Sequence, residues 1–205
     1  MHHRVGKCGS GDKTAMPSYK AKSLVCRLDE RVEIVKSPGV TVTHSPISCL
    51  NAATTTPYGL IVLDFSIRAI RARSEIIELC ACLKINPSTG KIPLFASIDH
   101  WHRELAGRLK EVGLNFMDVR RPQNQINPEH ISDLILKTGI SVHIDRVMSR
   151  LCPFLNYSPV DGCSELITCG AWHNRMVLGG KWLHDVCETD NHLHCEYFLN
   201  PTPKS

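Results

Sequence analysis

Leu60-Ile61-Val62-Leu63-Asp64 is the stretch that decides the fold of this 205-residue chain. Four consecutive aliphatic residues followed by an acidic residue are typical of a strand that is buried on both faces of a parallel sheet. Outward from this stretch, strand-like and helix-like segments alternate, which is the pattern of βαβ units. We therefore predict an α/β fold, in which helices cover both faces of a parallel five-stranded sheet.

The other four strands are predicted from short β-branched or apolar runs that turn signals separate. They are expected at 23–28, 40–44, 93–97 and 116–119. Apolar periodicity predicts helices over 66–85 and 102–112, and Gly113 ends the second of them. Because ligands bind beyond the carboxyl ends of strands in such sheets, Asp64 and Ser97 are candidate functional residues.

Around this sheet the sequence divides into further parts. Residues 1–19 are polar and predict a flexible arm ahead of an α/β domain at 20–125. Helix-start signals predict two helices in a helical connector at 126–150. Residues 151–205 contain five of the ten cysteines and predict a small cysteine-rich lobe that is mainly helical or irregular.

The composition excludes several classes of protein. Hydrophobic residues make up 42% and charged residues 21%, which excludes a disordered chain and a fibre. There is no apolar run of about 18 residues and no secretory signal, so we expect a cytoplasmic protein that does not use a membrane. The net charge of +4 is modest, so nucleic-acid binding is not expected.

Three segments share the order and spacing of one known family. They are Leu60-Ile61-Val62-Leu63-Asp64, Lys91-Ile92-Pro93-Leu94-Phe95-Ala96-Ser97, and Glu111 to Pro122, where a glycine, a short strand and a basic residue precede proline. Together, over residues 22–125, they resemble a response-regulator receiver domain, whose fold is flavodoxin-like. The resemblance implies a domain that docks to another protein through its receiver-like surface.

The resemblance also implies a set of site residues. Asp64 would accept a phosphoryl group, and the Ser97 hydroxyl would bind the oxygens of that group. The acidic pair Asp29 and Glu30 would bind Mg²⁺. Arg121, or Arg120 in a shifted register, replaces the usual lysine, and arginine is a rigid planar donor rather than a compact charge. Only about eleven residues separate the first two strands, so the usual first helix is short or missing. We therefore favour a degenerate receiver that serves as a docking module.

The cysteines of the C-terminal lobe are widely spaced, as Cys152-x10-Cys163-x5-Cys169-x17-Cys187-x7-Cys195. They form no Cys-x2–4-Cys knuckle of the kind that zinc sites use. An iron–sulfur cluster fits such spacing, because four thiolates need only meet in space. A lobe with few aliphatic residues gains stability from a metal. Disulfide bonds and buried free thiols are the alternatives.

A second resemblance narrows the set of metal ligands. The segment begins with Cys152-Pro153-Phe154-Leu155, contains an isolated cysteine, and ends with Cys187 and Cys195-Glu196-Tyr197-Phe198. This pattern resembles a cysteine module of uncharacterised bacterial proteins. It implies four ligands, with Cys163 as a spare cysteine: Cys152, Cys169, Cys187 and Cys195. The expected cofactor is an iron–sulfur cluster of the 4Fe-4S type, with zinc as the alternative.

The sequence shows no nucleophile–base pair and no nucleotide loop, so it predicts no catalytic residue. We expect a signalling or regulatory protein in which the receiver-like domain docks to another protein and the lobe senses redox state or metal. An electron-transfer or accessory subunit of a larger redox enzyme is the alternative, and a response regulator phosphorylated on Asp64 is the second alternative. His100 and His102 are interpreted as solvated loop residues.

Overall fold

A computed structural model of the chain describes residues 22–28, 33–34, 37–66, 68–119, 125–172 and 176–202. Its first strands are β1 (Ser23–Arg27), β2 (Glu33–Ile34), β3 (Val40–Thr43), β4 (Leu60–Asp64), β5 (Leu94–Ile98), β6 (Phe116–Val119) and β7 (Gln125–Ile126). Five of them form a parallel sheet in the order β3-β1-β4-β5-β6, and β2 pairs with β7. The five follow the 2-1-3-4-5 order of flavodoxin-like folds. The predicted fold class is confirmed.

Helices lie on both faces of this sheet. They are α1 (Pro46–Thr55), α2 (Ile70–Ile85), α3 (Arg103–Glu111), α4 (Pro128–Val142) and α5 (Ile144–Arg150). Ile61 and Leu63 face the core under α1, α2 and α3, to which α5 contributes Val147. Leu60 and Val62 face the opposite core under α4. Alternate residues of β4 therefore enter different cores, as expected for a strand buried on both faces.

Helix α1 was not predicted from the sequence. It is rich in Ser, Thr and Asn, which are poor helix formers, and it buries only Cys49 and Ala53. Its start is nevertheless encoded locally: Ser45 is the N-cap and accepts a hydrogen bond from the Ser48 N–H, and Pro46 occupies the first turn. Such a short apolar face gives little periodic signal.

The C-terminal lobe combines a small sheet with short helical segments. Strands β8 (Leu155–Pro159), β9 (Glu165–Cys169) and β10 (Met176–Val177) pair antiparallel in the order β10-β9-β8. Then follow α6 (Gly180–Trp182), a π-helical turn (Leu183–Cys187), a 3₁₀ turn (Asp190–His194) and α7 (Glu196–Leu199). The helical segments agree with the sequence prediction, whereas the sheet is an addition to it.

Some predictions lie outside the described residues. These are the arm at 1–19, the acidic pair Asp29 and Glu30, and the basic residues Arg120 and Arg121. In the ranges that the structure does describe, no helix has the length and apolar character needed to cross a membrane.

Candidate functional site

The carboxyl ends of four strands form a polar row across one face of the sheet. In register, the neighbours across β1, β4, β5 and β6 are Arg27, Asp64, Ser97 and Asp118. Asp64 lies two positions after Val62, so the row belongs to the face that α4 covers. The structure thus brings Asp64 and Ser97 together, as the receiver resemblance implies. The other implied residues, Asp29, Glu30 and Arg121, lie outside the described ranges.

Burial of Asp64 and Ser97, the two middle residues of this row, bears on the phosphorylation hypothesis. Asp64 has no exposed surface and Ser97 is also buried, whereas a phosphoryl donor must reach the acceptor oxygen in line. We expect that acetyl phosphate with Mg²⁺ leaves the intact mass of the protein unchanged, as measured by mass spectrometry. Asp64→Asn is the matched control. A gain of one phosphoryl group that this variant lacks would contradict the expectation and restore the phosphorylated-regulator alternative.

Four cysteines of the lobe come from separate segments and lie near one another. Cys152 follows α5, Cys169 ends β9, Cys187 ends the π-helical turn and Cys195 precedes α7. The Cys152 N–H donates to the Cys187 carbonyl oxygen at 2.8 Å, which fixes these two segments side by side. Cys152, Cys169 and Cys187 are buried in the lobe core, and Cys195 is half-buried. These are the four cysteines that the second resemblance implies.

The proton affinities of these thiols reflect their proximity. A hydrogen bond with Cys187 lowers the pKa of Cys152, and the same bond raises the pKa of Cys187. Burial raises the pKa of Cys169, and the charges of Cys152 and Cys195 raise it further. The group therefore favours one thiolate, at Cys152, and opposes ionisation of Cys169 and Cys187.

The remaining cysteines lie elsewhere. Cys163 is exposed in the turn between β8 and β9, where its N–H donates to Asp161 Oδ1 at 2.7 Å. Cys80 is buried and Cys82 is exposed on α2, as the sequence predicts. All the cysteines that the structure describes are free thiols.

The chemistry of the four-thiol group suits a soft metal centre. Cysteine thiolates are ligands of zinc and of iron–sulfur clusters alike. In the described part of the chain, no group of three or more His, Cys, Asp or Glu side chains is arranged to hold an ion. A hydrogen bond instead links the Cys152 and Cys187 thiols. Binding of a metal would therefore need these thiols to be rearranged.

A buried polar network, which sequence reasoning missed, joins the lobe to the sheet domain. Arg73 of α2 donates from Nη1 to Glu165 Oε1 of β9 at 2.6 Å. His102 accepts the Leu105 N–H at Nδ1 and thereby caps α3, so its Nε2 carries the proton that it donates to Glu165 Oε2 at 3.1 Å. The His102 ring stacks on Tyr157 of β8, with 3.7 Å between ring centroids.

The charges of this network are set by burial and by its arginine. His102 is only 4% exposed, and burial together with the Arg73 charge lowers its pKa to about 4. Burial raises the pKa of Glu165, but the hydrogen bond from Arg73 and the interaction with His102 outweigh it, so this pKa is lowered. At neutral pH the network contains an ionised arginine–glutamate pair and a neutral imidazole.

The interpretation of His102 as a solvated loop residue is wrong. Arg73 and Glu165, whose side chains lie beside its Nε2, are 29 and 63 positions away along the chain, so local sequence carries no sign of these contacts. One signal was available, because His102 directly precedes an amphipathic helix and a side-chain acceptor is favoured there. His100, two positions earlier, is exposed as predicted.

Comparisons with known proteins give distant structural likenesses only. No protein-family model matches the chain, and no curated protein matches it. Among solved structures, the chain is similar to the solution structure of a response regulator protein from Burkholderia multivorans, with 16% identity and a TM-score of 0.39. The match covers 58% of this chain and 95% of that one. The fold assignment therefore rests on the strand order and register described above.

Proposed function

We propose that this is a signalling or regulatory protein, in which the α/β domain docks to another protein and the lobe senses redox state or metal. Its sensor site comprises Cys152, Cys169, Cys187 and Cys195, which would bind an iron–sulfur cluster or, alternatively, zinc. The observation that carries the proposal is the gathering of these thiols from four separate segments. Cys152, Cys169 and Cys187 lie in one small core, and the charge of the nearby Cys195 further raises the pKa values of Cys169 and Cys187.

The make-up of the lobe core supports a metal at this place. Three of its buried members are cysteines, and its aliphatic members are few: Leu155, Ala171, Leu178 and Leu183. A core of this size contributes little stability by apolar burial alone, so small lobes commonly depend on a metal or a crosslink. A thiolate favoured at Cys152 is the form that a metal requires.

Strand β9 connects the thiol group to the rest of the protein. Cys169 lies at one end of β9 and Glu165 at the other, about 13 Å apart at the usual rise of a strand. Glu165 binds Arg73 and His102, which lie near the starts of α2 and α3. Those helices follow the carboxyl ends of β4 and β5, where α/β sheets bind ligands. A rearrangement of the thiols would thus shift β9 and, through Glu165, the starts of α2 and α3 at the carboxyl edge of the sheet.

Metal analysis of protein purified without oxygen tests the proposal. We expect either iron with acid-labile sulfide and a broad visible charge-transfer absorption, or one zinc ion per chain without colour. Cys169→Ser and Cys187→Ser should each lose most of this metal, since serine is a poor ligand for either centre. Cys163→Ser is the matched control and should retain it, because Cys163 is exposed outside the lobe core.

Three outcomes would contradict parts of the proposal. Full metal content in both Cys169→Ser and Cys187→Ser would refute the ligand assignment, and metal-free wild-type protein would refute the cofactor. Hydrogen exchange of β9 and of the first turns of α2 and α3, compared between the metal-bound and metal-free protein, tests the sensor role. Unchanged exchange with a reversible reduction would favour the electron-transfer alternative.

A further inference from the structure

A cavity of about 410 Å³ lies between the sheet domain and the lobe. The sheet domain lines it with Arg68, after β4, and with His100 and Trp101, after β5. The lobe lines it with residues of β8, β9 and the π-helical turn. Its volume is that of a small-molecule site, and its place beyond the carboxyl ends of two neighbouring strands is where doubly wound sheets bind ligands.

Part of the cavity lining is apolar and partly aromatic. It contains Trp101, Tyr157, Ile167 and Leu183. The Arg150 guanidinium carbon lies 6.0 Å from the centre of the Trp101 ring, and Tyr157 is held by its stack on His102 and by accepting the Arg103 N–H at 3.0 Å. These contacts fix the orientation of both rings before any ligand binds.

The two arginines and two glutamates that line the cavity balance in formal charge, but within the described ranges the exposed Arg68 lacks the carboxylate partner that Arg73 has. Arg73 is neutralised by Glu165 at 2.6 Å, and the Glu188 carboxylate lies 2.7 Å from His184 Nδ1. Arg68 has no carboxylate within ion-pair distance among the described residues, and its near polar neighbour is His100 Nε2, at 3.5 Å. Arg68 and His100 are both exposed.

From this arrangement we infer that the cavity binds a small organic anion with a flat apolar part, as in an aromatic carboxylate or an aryl phosphate. The anionic group binds Arg68, assisted by His100, and the flat part packs against the apolar lining residues, which include Trp101 and Ile167. Guanidinium groups recognise carboxylate and phosphate by paired hydrogen bonds, so Arg68 is suited to bind either group.

Such a ligand contacts both parts of the protein at once. It would therefore favour the arrangement in which the lobe is docked on the sheet domain, by the linkage that applies to any ligand specific for one state. This inference does not depend on the proposed metal site, because none of the four cysteines lines the cavity.

Calorimetric titration of the full chain with phenyl phosphate and with benzoate tests the inference, with phenol as the uncharged probe. We expect at least one of the two anions to bind, and phenol to bind at least tenfold more weakly than that anion. Arg68→Gln should weaken binding of the anion about tenfold, because it removes a charge-assisted contact. Arg71→Gln is the matched control: its side chain is 94% exposed and pairs with Glu75, so binding should be unchanged.

The two anions distinguish a carboxylate site from a phosphate site, and a preference for either supports the inference. Absence of binding for both anions at millimolar concentration would overturn it. Equal binding of phenol, or equal affinity of the Arg68→Gln variant and the wild type, would also overturn it. Metal content measured on the same samples separates this result from the fate of the cysteine site.

Discussion

Replacement of Glu165 by alanine is expected to lower the free energy of unfolding by about 3–5 kcal/mol, the range for breaking a buried ion pair. The side chains of Glu165 and Arg73 are only 14% and 10% exposed, and the ion pair between them joins the lobe to the sheet domain. Without the carboxylate, the poorly hydrated Arg73 guanidinium would be a buried charge with no counter-charge from Glu165. Urea unfolding followed by circular dichroism at neutral pH measures the loss.

Glu75→Ala is the matched control for this experiment. Glu75 pairs with Arg71 on the surface of α2, so its removal should cost about 0.3–0.5 kcal/mol. The double variant Arg73→Met/Glu165→Met should recover much of the loss, because it buries no charge. If Glu165→Ala costs no more than Glu75→Ala, the network does not hold the lobe on the sheet domain.

Acidification is expected to remove about 3 kcal/mol of stability through His102 alone, as its pKa shift requires. In the unfolded chain the pKa of this residue is near the ordinary 6.5, whereas in the folded protein it is about 4. At a pH between these two pKa values, His102 is protonated in the unfolded chain but not in the folded protein. The stability is therefore fully present above pH 6.5 and is lost as the pH falls toward 4.

Urea unfolding over this pH range, for the wild type and His102→Asn, measures the effect. The asparagine side chain also accepts the N–H that caps α3, so the variant keeps that function without the titrating group. His143→Asn is the control, because His143 is likewise an N-cap but is only half-buried. This variant should show the wild-type change of the free energy of unfolding with pH. Identical slopes for the wild type and His102→Asn would show that His102 does not cause the acid instability.

Much of the sheet domain was predictable because its signals are local. The run Leu60–Asp64 and the shorter apolar runs between turns predict five strands, and all five are present within two residues of the expected bounds. Gly113 was expected to end α3, and its φ of 89° is the left-handed conformation that such a position requires. Helix α1 was not predicted, because its buried face is too narrow to give a periodic apolar pattern.

The candidate sites divide in the same way. The pairing of β4 with β5 places Ser97 next to Asp64, so the receiver resemblance could predict that these two residues are neighbours. The four cysteines were predicted as ligands from the second resemblance, whose pattern around Cys152, Cys187 and Cys195 can be read directly from the sequence. The Arg73–Glu165 contact spans 92 positions and depends on how the lobe packs against the sheet domain. Neither residue type nor periodicity reports such packing.

The unequal cover of the two sheet faces has a consequence for folding during synthesis. Among the described helices, α4 is the one that packs on the face formed by Val25, Leu60, Val62 and Phe95. The last strand of the main sheet, β6, ends at Val119, and α4 begins at Pro128. As the chain leaves the ribosome, the sheet can therefore pair completely while that face is still bare. Exposed apolar surface of this kind is where nascent chains associate wrongly, so we expect wrong association to be most frequent in the interval before α4 emerges.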